Sequence, residues 1–205
     1  MGLIRLINTQ GLSVYVIAVG CLLLGPWSSV GIDYFSMDRA ALAGGEYWRF
    51  WTGQLVHISW PHLLLSLTGL AVLQQMFGEE LRFASWALAY VVISLMIGVC
   101  WLLFDESGWL PFGGYDYVVG LSAMLHGLFA YAACIAMRRD RLLASGALLI
   151  IGAKVGWENI YGPSEFTAGI IDMPVAVTTH LYGYAGGLGT AAIVMLTGRM
   201  IRTDR

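Results

Sequence analysis

Six stretches of this sequence read as bilayer-crossing segments, and no other feature narrows the possible folds so far. A crossing needs roughly 17–25 mostly apolar residues, and the stretches run over about 9–27, 57–77, 83–104, 117–137, 142–160 and 174–198. Hydrocarbon offers the backbone no hydrogen-bond partners, so runs of this length predict helices and an all-α membrane protein. Composition agrees: of 205 residues 58% are apolar and 12% charged, and mean hydropathy is +0.72. A soluble domain has roughly 45–50% and 25%. Arg5 ahead of the first apolar run resembles a signal peptide, but no small-x-small cleavage site follows it and further spans do. It reads as a retained first helix. The net charge of −2, without a basic run, gives no reason to expect nucleic acid. Cys21, Cys100 and Cys134 lie in apolar stretches without CxxC spacing, so they read as packing residues; neither a metal nor another cofactor is expected. Without a repeat or a low-complexity tract, 1–205 reads as a single domain.

Orientation follows from the basic residues. With the N-terminus inside, the inner segments 1–8, 78–82, 138–141 and 199–205 hold eight of the eleven Lys and Arg, while nine of the thirteen acids fall on the outer side. This asymmetry predicts six spans with both termini cytoplasmic. The loops 28–56, 105–116 and 161–173 then face outward. In the longest, "GGEYWRFWTGQLVH" mixes Tyr47, Trp48, Phe50 and Trp51 with Glu46 and Arg49. An aromatic belt at the membrane surface is one reading, and a structured, partly submerged loop is the sharper one.

Polar residues at membrane depth are costly and point to function. Ser122 comes about five residues into the fourth span, roughly 6–8 Å below the outer surface. A serine in a membrane helix ordinarily bonds its own i−4 carbonyl, but His180 comes about six residues into the sixth span at a matching depth. Gly183, Gly187 and Ala191 recur every four residues on that helix, a pattern that lets another backbone approach closely. Gly183 and Gly187 share roughly the face of His180, and Gly120, Ala123 and Gly127 make the fourth span similarly slim. A serine hydroxyl needs a base before it is a useful nucleophile. His180 is favoured as that base. His126, one turn after Ser122, competes for the role, although it more naturally packs under the pair.

Acyl transfer also needs donors for the developing oxyanion. In "HISWPHLLLSLTGL", Ser59 and Pro61 read as a helix start, which puts His62 and Ser66 one turn apart on one face at the outer end. With the Ser122 backbone N–H they are the candidate hole, while His57 reads as tying down the loop. Lys154 and Glu158 in "GAKVGWENIYG" are four apart and predict an ion pair that lowers the cost of two buried charges. Lying about 20 Å from the inner side, that pair is also a candidate for handling a ligand.

The residues "EYWR", "HISWPHLLLS", "GLSA" and "HLYGYAGG" together resemble the rhomboid intramembrane serine proteases over most of the chain. The resemblance implies a six-helix bundle with Ser122 as nucleophile, His180 as base, His62 as oxyanion histidine and His57 as a structural one. Ala123 departs from the family's usual GxSG, Ser66 stands where many rhomboids have an oxyanion asparagine, and His126 where many have a tyrosine. With "GLSAMLHG" and the "K…WEN" stretch, these departures are similar to the rhombosortase branch. That branch implies a multi-pass protein of the bacterial inner membrane with its site open to the periplasm. Its substrates would be secreted proteins with a C-terminal Gly-Gly, a hydrophobic helix and a basic cluster, cut near the Gly-Gly. The new C-terminus would pass to water or to an amine. Three alternatives stay open: a general rhomboid protease acting on other single-span proteins, a non-catalytic rhomboid-like binding protein, and a proton-relaying transporter. The last predicts polar residues through both halves of the bilayer, whereas here they cluster on the outer side.

Overall fold

The structure is a computed structural model that describes residues 12–26, 29–80, 83–105, 111–171 and 173–203. Helix α1 (Leu12–Leu23) leads into the short elements α2 (Ser29–Phe35), β1 (Met37–Asp38), α3 (Arg39–Ala43) and α4 (Arg49–Thr52). Then come α5 (Trp60–Phe77), α6 (Phe83–Phe104), β2 (Tyr117–Val118), α7 (Ser122–Ala136), α8 (Arg141–Tyr161), α9 (Glu165–Ile171) and α10 (Val177–Thr203). The chain is mostly helical, as an all-α membrane protein should be. Among the described residues, only α6 is by itself both long and apolar enough to cross a bilayer; α1 and α7 are apolar but shorter. Polar residues and glycines dilute α5, α8 and α10. The first expected span, 9–27, falls partly outside the described residues, as do the basic residues Arg5, Arg82 and Arg205.

Helix α7 lies at the centre, touching α5, α6, α8 and α10. Eleven of its 15 residues are buried, from Ala123 to Ala136, which is what a helix surrounded by others requires. The surrounding helices turn apolar side chains outward: Leu64 and Val72 on α5, Leu88 and Leu95 on α6, Leu149 and Ile150 on α8, Ile193 and Leu196 on α10. A belt of this extent suits lipid better than water.

The α7–α10 seam is as close as the spaced glycines predict. A Cβ on Gly183 would collide with the carbonyl of Ala123, and one on Gly187 with the carbonyl of Gly127. Only glycine lets these backbones touch. The seam begins one residue after Ser122 and three after His180, so it sets their separation.

The segment from α2 to α4 is a built structure. Strands β1 and β2 pair antiparallel, Met37 opposite Val118 and Asp38 opposite Tyr117. Arg49 is buried and acts as a clasp. Its guanidinium donates to the carbonyls of Ser36 (3.0 Å) and Asp33 (2.8 Å) and pairs with Glu46 at 2.7 Å. Phe50 is buried while Tyr47 and Trp48 stay exposed, so only part of "EYWRFW" behaves as a surface belt. Helix α5 starts as its sequence predicts: the Ser59 hydroxyl accepts the His62 N–H at 3.3 Å, with Pro61 in the first turn.

Candidate active site

Ser122 sits where extended chain becomes helix. The strand β2 ends at Val118, Gly120 turns the chain with φ of 106°, and α7 begins at Ser122 itself. Such a φ favours glycine. The turn is pinned by the Gly120 N–H donating to the Gly53 carbonyl at 3.0 Å, so the chain just after α4 holds the approach to the serine. The sequence suggested a serine a full turn inside a span. Instead residues 117–121 are strand and turn, because they pair with residues some 65–80 positions earlier in the chain. Gly120 therefore does not slim the helix; a Cβ there would run into the His62 ring. At the first residue of α7, the Ser122 N–H has no intrahelical acceptor and the positive end of the helix lies beside the hydroxyl.

His180 is the fourth residue of α10, and its Nε2 lies 3.0 Å from Ser122 Oγ. Its other ring nitrogen, Nδ1, is 2.8 Å from Glu158 Oε2 on α8. Glu158 Oε1 in turn accepts from Lys154 Nζ at 2.7 Å, and the same ammonium reaches His126 Nε2 at 3.1 Å. His126 Nδ1 closes the circuit on the backbone carbonyl of Ser122 at 2.7 Å. An ammonium can only donate, which fixes every direction in this ring. His126 accepts at Nε2 and donates from Nδ1, and Glu158 accepts from Lys154 and from His180 Nδ1–H. His180 Nε2 is left as the acceptor for the serine hydroxyl. His126 also stacks on His180, with ring centres 4.3 Å apart and planes 17° from parallel. It packs beneath the catalytic candidate, as its spacing suggested.

Glu158 and His180 are buried, each with a side chain 4% exposed, whereas that of Lys154 is 43% exposed. Unpaired, the Glu158 carboxylate would be very costly at such a site. His126, Glu158 and His180 could in principle gather around a cation, their ligand atoms lying within 4.8 Å of one another. The Lys154 ammonium already bonds two of the three, so the cluster is a hydrogen-bond network by its chemistry.

A cavity of about 530 Å³ opens over this network. Ser122, His180, His126, Lys154, His62 and Ser66 line it together with apolar Leu65, Leu125, Phe129 and Ile151. Glu158 is not in its wall and has both oxygens engaged, so of the predicted ligand-handling pair Lys154 alone faces the space. The His62 ring lies over Gly120, two residues before the serine. Its Nδ1 is buried without a hydrogen-bond partner among the described residues. A buried unpaired N–H is expensive, so the ring proton belongs on Nε2, the nitrogen beside Gly120. His57 meets His62 edge-on at 4.8 Å and hydrogen-bonds to the Leu55 carbonyl at 3.0 Å, which fits a tie for the loop.

A family model for the Rhomboid domain matches residues 44–197, about three-quarters of the chain. The chain belongs to the rhomboid family. Comparison with curated proteins gave no match. Rhomboids are membrane-embedded and in general intramembrane serine proteases, and the residues that line the polar cavity of this rhomboid, from Ile58 to His180, fall within the matched part of the chain.

Two supports of the site went unread in this rhomboid's sequence. Asp105, at the end of α6, accepts from Thr178 Oγ1 at 2.6 Å and from the Gly114 N–H at 2.7 Å, which anchors α10 two residues before His180. Asn159 donates to the Val177 carbonyl at 3.3 Å and ties α8 to the start of α10. A polar residue at a helix end or beside Glu158 was the available signal in each case, but neither spacing names a partner so distant in sequence.

Proposed function

We propose that this rhomboid is an intramembrane serine protease in which Ser122 is the nucleophile and His180 the base. The observation that carries the reading is the 3.0 Å contact between Ser122 Oγ and His180 Nε2 across the α7–α10 seam. Attack on a scissile carbonyl forms an Oγ–C bond as the hydroxyl proton passes to Nε2. His180 then returns the proton to the leaving amine as the C–N bond breaks. His62 Nε2–H and the Ser122 N–H are the donors for the oxyanion. Ser66, in the cavity wall one turn beyond His62, is the further candidate donor.

The finer reading is rhombosortase-like. In that reading six spans place both termini in the cytoplasm and the cavity toward the periplasm of a bacterial inner membrane. The substrate is a secreted protein with a C-terminal tail of Gly-Gly, hydrophobic helix and basic cluster. Glycines weaken a helix end, so a Gly-Gly there can unwind and present an extended peptide to Ser122. The "GLSAMLHG" and Lys154–Asn159 stretches support this branch over a general rhomboid protease. The acyl-enzyme then passes to water or to an amine.

The test is co-expression with a reporter bearing such a tail, followed by mass analysis of its C-terminus. Cleavage by wild type and none by Ser122→Ala or His180→Ala is expected. A free carboxyl terminus means hydrolysis and an added amine mass means transfer. Processing that survives both substitutions overturns the reading in favour of a non-catalytic binding protein.

A further inference from the structure

We propose that Glu158 completes a Ser122–His180–Glu158 triad as a positioning residue, and that Lys154 sets the direction of its hydrogen bonds. The inference rests on the protease reading above and adds the groups that hold the base in its working form.

Glu158 Oε2 faces His180 Nδ1 at 2.8 Å, and Oε1 faces Lys154 Nζ at 2.7 Å. The carboxylate can only accept, so His180 carries its proton on Nδ1 and leaves Nε2 open to the serine. When His180 takes the serine proton it becomes a cation in a buried site, and the same carboxylate stabilises it. Lys154 has the second task. A buried carboxylate without a cation would tend to take up a proton. Lys154 neutralises Glu158 and also donates to His126, whose ring supports the face of His180.

This circuit makes an unusual prediction. In Glu158→Gln the ammonium still needs an acceptor, so the amide oxygen must face Lys154. The amide NH₂ is then turned toward His180 Nδ1, which has to accept. The imidazole proton moves to Nε2, facing Ser122, and the base is lost although its position is kept. Removing the ammonium as well frees the amide to turn over and accept from Nδ1–H. Lys154→Met on top of Glu158→Gln should therefore restore activity, where two losses of structural polar groups would only accumulate.

The experiment measures labelling of the purified full-length protein by a fluorophosphonate probe. In that reaction a Ser122 Oγ–P bond forms, fluoride leaves, and His180 takes the proton. Wild type should label and Ser122→Ala should not. Failure of wild type to label contradicts the protease reading itself, whatever Glu158 does. Given labelling, E158Q should slow the maximal rate by up to about 10⁴-fold, the scale of a wrong-tautomer histidine, with little change in half-saturating probe concentration. K154M/E158Q should then be at least about tenfold faster than E158Q, a non-additive recovery. An E158Q rate within about fivefold of wild type, or a double variant no faster than the single, overturns the triad. Should E158Q fail to fold, K154M/E158Q against K154M/E158L gives the same decision. Both lack the ammonium and the carboxylate, only glutamine can accept from Nδ1–H, and equal rates would refute the proposal.

Discussion

Two clusters of the same chemistry lie at opposite ends of the helices. At the end of α7 where Ser122 sits, Lys154 and His180 share the buried carboxylate of Glu158. At the other end, Arg139, 45% exposed, pairs with Glu79, 73% exposed, and at 2.7 Å with Glu80, whose side chain is 7% exposed. An exposed pair contributes about 0–1 kcal/mol. A buried one is often no better for stability than apolar residues of the same volume. The cluster around Glu158 is therefore best understood through the atoms it orients, and the one around Arg139 through the ends of α5 and α7 that it ties together.

Substitutions can break this contrast. The largest expected effect is His180→Ala, which should lower reporter cleavage by at least about 10⁴-fold with the protein still folded. Measured with the same reporter, His62→Ala should cost about 10²–10³-fold, the usual loss for one oxyanion donor. A smaller loss would mean that Ser66 or backbone amides suffice. Gly183→Ala tests the seam. Its methyl would press on the Ala123 carbonyl, and an overpacked contact costs about 1–3 kcal/mol in thermal unfolding. A shift near 1 Å between Ser122 and His180 should also cost about 10²-fold in rate. Arg139→Ala should leave cleavage as it was, its cost confined to thermal stability, where the little-exposed Glu80 carboxylate loses its partner. A large activity loss there would erase the distinction between the two ends.

Local features were readable in the sequence where local physics decides them. The uninterrupted apolar run 83–104 became α6 with those same ends, Phe83–Phe104. Ser59 and Pro61 marked the start of α5, and the spacing of Gly183 and Gly187 foretold a close seam facing Ser122. What escaped depends on contacts between distant residues. The hydrophobic run 117–137 gave no sign that its first five residues pair with β1 and Gly53 and so deliver Ser122 at the helix start. The Lys154–Glu158 spacing revealed the ion pair but not that the second carboxylate oxygen belongs to His180, 22 residues away. For Arg49 the sequence offered a structured loop as the sharper reading but no partners, because Asp33, Ser36 and Glu46 converge on it only after the α2–α4 segment folds.

The central claim is that His180, reaching across from α10, activates Ser122. Peptide mapping of the fluorophosphonate-labelled protein tests it most directly. The adduct should fall on the peptide carrying Ser122, and labelling should all but vanish in His180→Ala while the variant keeps its fold. An adduct on another serine, or Ser122 labelled equally fast without His180, would contradict the account.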